Sequence, residues 1–160
     1  YQVRFGAGEL PAAKGSMNYK IIPVTSFEQN STLLYCDKTA VAAIVDPGGD
    51  IPLIEEAVQE AGVSLEKILV THAHIDHVGA VSELAEKYQL PIIGPHRDDQ
   101  FWIDALPQQG EMFGFPASKK FAPDRWLEHG DQISVGKTQL EVIHCPGHTP
   151  GHVIFYSPKD

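Results

Sequence analysis

Six of the eight histidines in this chain fall in two short windows, at positions 72, 74 and 77 and at 144, 148 and 152. The first window reads Thr71-His72-Ala73-His74-Ile75-Asp76-His77 and follows the apolar stretch 67–71, which predicts a short strand. Side chains alternate along an extended chain, so His72 and His74 point to the same side. Asp76 and His77 come where the chain turns into a helix and can aim at a neighbouring point. Imidazoles and a carboxylate in one cluster suit zinc, and also iron or manganese. A catalytic site of this kind holds three protein ligands and leaves a position for water. The second window, His144-Cys145-Pro146-Gly147-His148-Thr149-Pro150-Gly151-His152, follows a hairpin strand. Its Pro-Gly pairs fix the loop and make His148 its natural ligand. A lone histidine is ordinarily a surface or hydrogen-bonded residue; the two windows together favour metal chemistry.

The elements that must position these residues follow from period and turn chemistry. Residues 19–24 and 31–36 predict short strands, and 40–45 an apolar one closed by the turn Asp46-Pro47-Gly48-Gly49. Asp50 is the expected N-cap of a helix with Ile51, Ile54, Ala57, Val58 and Ala61 on one face, stopped at Gly62. Val78, Val81, Leu84, Ala85 and Tyr88 predict a helix over 77–88, and 91–94 another strand. Residues 95–130, broken by prolines and glycines, read as irregular. Residues 132–135 and 138–144 flank Gly136-Lys137 as a two-residue hairpin. A last strand over 152–157 leads into the turn Pro158-Lys159-Asp160, which normally opens onto a further strand. Strands and helices that alternate and then give way to a hairpin predict an α/β chain of mixed sheets covered by helices.

Composition narrows the partners. The chain has 160 residues, 42% of them hydrophobic and 21% charged, as expected of a globular domain. Its longest apolar run, 40–45, is far too short to span a membrane. With 12 Lys and Arg against 21 Asp and Glu, and no basic stripe, nucleic acid is disfavoured as a ligand. Two cysteines, Cys36 and Cys145, make no disulfide framework and fit a reducing cytoplasm. Residues 1–16 carry no helical or strand period and read as a leader or flexible arm, with the folded domain at 17–160. His96 and His129 are expected in solvent, and His144 and His152 as hydrogen-bonded or strand residues. Phe101, Trp102, Met112, Phe113 and Phe115 are expected to anchor the irregular stretch to the core rather than to form a lid.

THAHIDHVGA with HCPGHTPGH, and VDPGG before the first helix, resemble the metallo-β-lactamase superfamily. Within it the likeness is to the short single-domain glyoxalase II-like (hydroxyacylglutathione hydrolase-like) hydrolases, and it runs from Met17 to Asp160. The HxHxDH pattern is diagnostic of the superfamily and much less so of the substrate. By this resemblance His72, His74 and His148 hold a first metal, and Asp76 and His77 supply part of a second site. Two zinc ions are implied in the complete protein. The implied fold is an αββα sandwich, of which this chain is read as the N-terminal two thirds, because the family's bridging Asp and last His ligand lie past Asp160. Asp46 would orient a ligand histidine; as an ordinary turn residue it would cap its own backbone. Cys145 is not a ligand position in the family and reads as an inert thiol.

The activity so implied is thioester hydrolysis of an S-hydroxyacylglutathione-like small molecule by a metal-bound hydroxide, with Asp76 as the catalytic carboxylate that orients the water. A mononuclear-iron persulfide dioxygenase shares the first-site histidines and is the competing enzyme. The non-enzymatic alternative is a metal-binding or self-associating fragment of such a hydrolase, with little turnover of its own.

Overall fold

Antiparallel strands can be joined by a tight turn, whereas parallel ones need a crossover that is usually helical. Both connections appear in a computed structural model that describes residues 15–116 and 118–158, and the backbone of 3–5. Strands β2 (Met17–Val24), β3 (Gln29–Cys36) and β4 (Val41–Val45) run antiparallel by short turns. From β4 the chain crosses through α1 (Ile51–Ala61) to β5 (Ser64–Leu69), parallel to β4. It crosses again through α2 (Ile75–Val78) and α3 (Val81–Tyr88) to β6 (Ile92–Ile93), parallel to β5. These strands form a five-stranded sheet in the order β2-β3-β4-β5-β6. A short 3-10 turn, Arg97–Asp99, then leads into α4 (Gln100–Asp104) and α5 (Leu106–Phe113). The second sheet is four-stranded, in the order β1-β9-β8-β7, from β1 (Val3–Phe5), β7 (Gln132–Val135), β8 (Thr138–His144) and β9 (Val153–Ser157).

The five-stranded sheet is buried on both faces, which is why 40–45 and 67–71 read as unbroken apolar runs rather than alternating ones. One face sets Leu34, Ala43, Val45 and Leu69 against Ile133, Leu140, Val142 and Phe155 of the second sheet. The other sets Leu33, Ile44 and Ile68 against Ile54, Val81, Leu84 and Leu106 of the helices. Full burial of a side chain such as Leu33 or Phe155 contributes roughly 1.5–3 kcal/mol. The described residues thus stack as helices, sheet, sheet. The metallo-β-lactamase layering expected from the sequence is present to that extent.

Five local expectations change. Asp50 takes a left-handed backbone (φ 50°, ψ 50°) and makes no side-chain cap. Its carboxylate accepts from the Thr25 N–H at 2.6 Å instead, tying α1 to the β2–β3 turn. The single helix expected over 77–88 is two helices, because the Ala80 N–H donates to the Pro47 carbonyl rather than to the preceding turn. Residues 95–130 are not irregular throughout: α4 and α5 lie within them. Pro107 sits in the first turn of α5, where its missing N–H leaves no bond unmade. Trp102 and Phe115 pack on the helical core, but Phe101, Met112 and Phe113 stand exposed, so only two of the five aromatic and Met side chains anchor this stretch. Residues 1, 2 and 6–14 of the expected leader lie outside the described residues, while 3–5 form a strand parallel to β9 where no strand was expected.

The turn after β4 is jammed against the first histidine window. A Cβ on Gly48 would lie 1.7 Å from the Asp76 carbonyl oxygen, so only glycine fits there. The Val153 N–H at the start of β9 donates to the Thr71 carbonyl at 2.9 Å, joining the two sheets where the first histidine window begins and the second ends.

Candidate metal centre

Each of the two windows sits just beyond the end of a strand, β5 for residues 70–77 and β8 for residues 145–152, so packing the sheets brings them together. One ligating nitrogen from each of His72, His74 and His148 lies within 4.8 Å of the others. Asp46, His72 and His77 form an adjoining group with the same property, so His72 belongs to both. His72 is the hub: its ring centroid is 5.0 Å from that of His74, 4.0 Å from His77, 4.8 Å from His148 and 4.8 Å from His152. Asp76 stands outside both groups, with its side chain 30% exposed and Oδ2 3.5 Å from His77 Nε2. The wall beside His74 is Trp102, edge-on at 4.8 Å.

Asp46 organises the cluster from beneath. It is fully buried and in a left-handed backbone conformation (φ 51°), and its Oδ1 accepts from the Thr71 N–H at 2.8 Å. Oδ2 accepts from the Thr71 hydroxyl at 2.5 Å and lies 2.9 Å from His77 Nδ1. Since the Thr71 hydroxyl hydrogen is given to Asp46, its oxygen is left to accept from His72 Nδ1, 2.9 Å away. The consequence is a tautomer: His72 carries its proton on Nδ1 and turns an Nε2 lone pair toward His74 and His148. His77 carries its proton on Nδ1 and donates it to the same carboxylate, with Nε2 on the Asp76 side. Carboxylates that hold the far nitrogen of a ligand histidine fix its ring and raise its basicity. The two readings of Asp46, as an orienting carboxylate and as a backbone cap, are both present, although the backbone it caps is that of Thr71 rather than its own turn.

Burial, then the surrounding imidazoles, push the His72 pKa well below its ordinary range. Burial and His148 lower His74, and burial lowers His152 against the opposing charge of Asp46. For His77, burial works against the charged form, but the hydrogen bond and charge of Asp46 outweigh it and the pKa is raised. These shifts set a pH dependence for chelator-treated protein. His72, His74 and His152 contribute stability that is present above the unfolded value of 6.5 and lost as pH falls below it. His77 has the opposite sign, contributing below 6.5 and losing that contribution as pH rises through its folded value. Three groups outweigh one, so the urea midpoint of the metal-free protein should rise from about pH 5 to about pH 7. A flat or falling midpoint over that interval would contradict the protonation states described above.

The donor set fits a divalent ion. His72 Nε2 is a buried nitrogen with no hydrogen-bond partner among the described residues. Such atoms are uncommon in folded proteins. Here the orphan faces two further imidazoles, and neutral imidazoles are good ligands for zinc, iron and related ions.

Pattern reading passed over several contributors. His152, expected as a hydrogen-bonded or strand residue, sits before β9 with its ring in the cluster and its buried Nε2 without a hydrogen-bond partner among the described residues. Its place four residues after His148 in the same Pro-Gly loop was the available signal. Gln29 places Nε2 3.1 Å from His77 Nδ1. Asp99 hydrogen-bonds to both windows and left no trace in the local pattern. Further away, His96 does not stand in solvent but lies flat on His144, centroids 4.0 Å apart and planes at 7°. With Asp98 these form a third group of close ligating atoms, in which His96 Nδ1, His96 Nε2 and His144 Nε2 are already engaged by the Asp98 N–H, Glu128 and the Pro150 carbonyl. His144 is hydrogen-bonded and His129 exposed, as expected.

Among the described residues no helix is long and apolar enough to cross a membrane. Comparison with known proteins agrees with the geometry. The chain is 41% identical over 140 residues to the hydroxyacylglutathione hydrolase GloC of Haemophilus influenzae, covering 87% of this chain and 66% of that protein. It thus spans about two thirds of that relative's length. The solved structure of the BLEG-1 B3 metallo-beta-lactamase superposes with a TM-score of 0.77 at 31% identity, over 89% of this chain and 68% of that one. A protein crystallised in a di-iron-bound form superposes with a TM-score of 0.75 at 32% identity, over 87% and 67% of the two chains. The metallo-beta-lactamase superfamily pattern matches residues 24–160, and the chain belongs to that superfamily.

Proposed function

We propose that this chain forms the metal-holding part of a metal-dependent hydrolase, and that the reaction is hydrolysis of a small-molecule thioester of the S-hydroxyacylglutathione kind. The observation that carries the chemistry is the convergence of His72, His74 and His148, with the buried Nε2 of His72 turned into the group by the Asp46–Thr71 relay. The substrate class rests on kinship with a relative named hydroxyacylglutathione hydrolase. His72, His74 and His148 would hold one ion, and His77 and Asp76 would contribute to a second. Zinc suits this donor set, and the di-iron form of a similar protein supports iron as the alternative. When bound, such an ion supplies Lewis acidity, bringing the pKa of a coordinated water from about 15.7 toward about 7 and polarising a carbonyl.

The chain's own residues do the rest. Asp46 holds His72, through Thr71, and His77 in the orientation and tautomer that ligation needs. Asp76, its carboxylate 3.5 Å from His77 Nε2, would orient the water at the site. Trp102 walls the His74 side against bulk solvent. The unbridged Cys36 and Cys145 support a cytoplasmic setting.

Native mass spectrometry of the purified protein, followed by thiol release from S-lactoylglutathione with and without chelator, tests this reading. Bound metal with chelator-sensitive thiol release is the expected result. Bound iron with oxygen consumption on glutathione persulfide, and no thiol release, would move the assignment to a dioxygenase. Bound metal with neither activity would leave a metal-binding module.

A further inference from the structure

Asp99 joins the two histidine windows through one buried carboxylate. It lies 26 residues from Ala73 and 50 from Thr149, at the end of the Arg97–Asp99 turn, and it is fully buried. Three donors converge on it. The Ala73 N–H, between His72 and His74, donates to Oδ2 at 3.0 Å. The Thr149 hydroxyl, next to His148, donates to the same oxygen at 2.8 Å. The Gly151 N–H, next to His152, donates to Oδ1 at 2.7 Å. The backbone closes the same joint, since the His96 N–H donates to the Gly151 carbonyl at 3.2 Å. A Cβ at Gly151 would lie 2.6 Å from the Asp99 nitrogen and 2.7 Å from the His96 carbonyl oxygen, so a side chain there would push the second window away.

We infer that Asp99 is a positioning residue which sets His148 against His72 and His74 by holding both windows on its two carboxylate oxygens. The inference rests on those three histidines being a metal site. The His148 loop is otherwise exposed at Cys145, Pro146, Gly147 and His148, so its place depends on the residues that follow. A carboxylate is required rather than any polar side chain of that size. All three neighbours are donors, and an amide in the same place would turn its own N–H₂ toward at least one of them. Hydrogen bonds to an ionised acceptor are also shorter and about twice as strong as neutral ones, which suits a joint that must hold ligands at fixed spacing.

The test is Asp99→Asn beside Thr149→Val and Thr149→Ser, with zinc affinity by competition and the visible spectrum of the cobalt(II)-loaded protein as readouts. Asp99→Asn is expected to weaken metal binding about 10- to 100-fold and to alter the cobalt spectrum. Thr149→Val should do so by less, and Thr149→Ser, which keeps the hydroxyl, should restore both. The double variant Asp99→Asn/Thr149→Val should lose less than the sum of the singles, because both remove the same bond. A merely structural role would lower the unfolding midpoint and leave affinity and spectrum unchanged, and that result would overturn the inference. Should Asp99→Asn fail to fold, the Thr149 pair decides on the same criteria. Thioester turnover is not among the readouts, so a wild-type protein that binds metal without hydrolysing thioesters would refute the hydrolase and leave this inference intact. Failure of the wild type to bind any metal would refute both.

Discussion

His72→Ala should abolish metal uptake and turnover together. His72 is the one imidazole shared by both ligand groups, and its ring touches those of His74, His77, His148 and His152. Removing it takes away the buried Nε2 that has no hydrogen-bond partner among the described residues. The loss of several kcal/mol of Lewis-acid stabilisation corresponds to a fall in kcat/KM of about a thousandfold or more. Metal content by mass spectrometry and thiol release should fall in step, and His74→Ala should behave in the same way. The metal-free variant should also lose part of the acid sensitivity described above, because one imidazole held neutral by burial is gone. Retained turnover in a protein that has lost its metal would end the metal-hydrolase reading.

Asp46→Ala is expected to damage both the fold and the site. Asp46 receives the Thr71 N–H, the Thr71 hydroxyl and His77 Nδ1 with no exposed surface. Its removal strands all three donors, and each buried donor left unsatisfied costs about 1–3 kcal/mol. The sign of its pH dependence is informative. Without Asp46 the burial of His77 is opposed only by the charge of Asp76, so the His77 pKa should fall, and an NMR titration of the ring would report it. Asp46→Asn keeps the volume and should fold better. Its metal affinity should still fall about 10- to 100-fold, because neither His72 nor His77 is held in its tautomer. Unchanged affinity in Asp46→Asn would reduce Asp46 to a cap on the Thr71 backbone.

Asp46 and Asp99 have the same task at different ends of the site. One fixes the tautomers within the first window, and the other fixes the second window against the first. Each is a fully buried carboxylate satisfied by donors rather than by a Lys or Arg. A carboxylate in that condition is tolerable only because every lone pair in use faces an N–H or O–H.

How far this molecule could be read before folding differs from residue to residue. The period-two spacing of His72 and His74, the apolar runs at 40–45 and 67–71 and the Gly136-Lys137 hairpin are local signals; strands form at both runs and at the hairpin, although β5 spans Ser64–Leu69 and ends before Thr71. α5 is hidden in the sequence because Pro107 reads as a breaker, although the first turn of a helix accepts proline. The pattern over 77–88 reads as one helix because the bond that divides it, from Ala80 to Pro47, comes from another element.

The sequence alone therefore determined which side chains are available for metal chemistry and which short elements carry them, since both depend on neighbours within a few positions. Tertiary structure alone decided that His148 meets His72 and His74, that His152 joins them, and that Asp99 rather than Asp98 holds the joint. Those outcomes depend on hydrogen bonds between residues some 25 to 50 positions apart. Such bonds form only when the two sheets pack and the Thr71 carbonyl meets the Val153 N–H, and no periodicity along the chain records them.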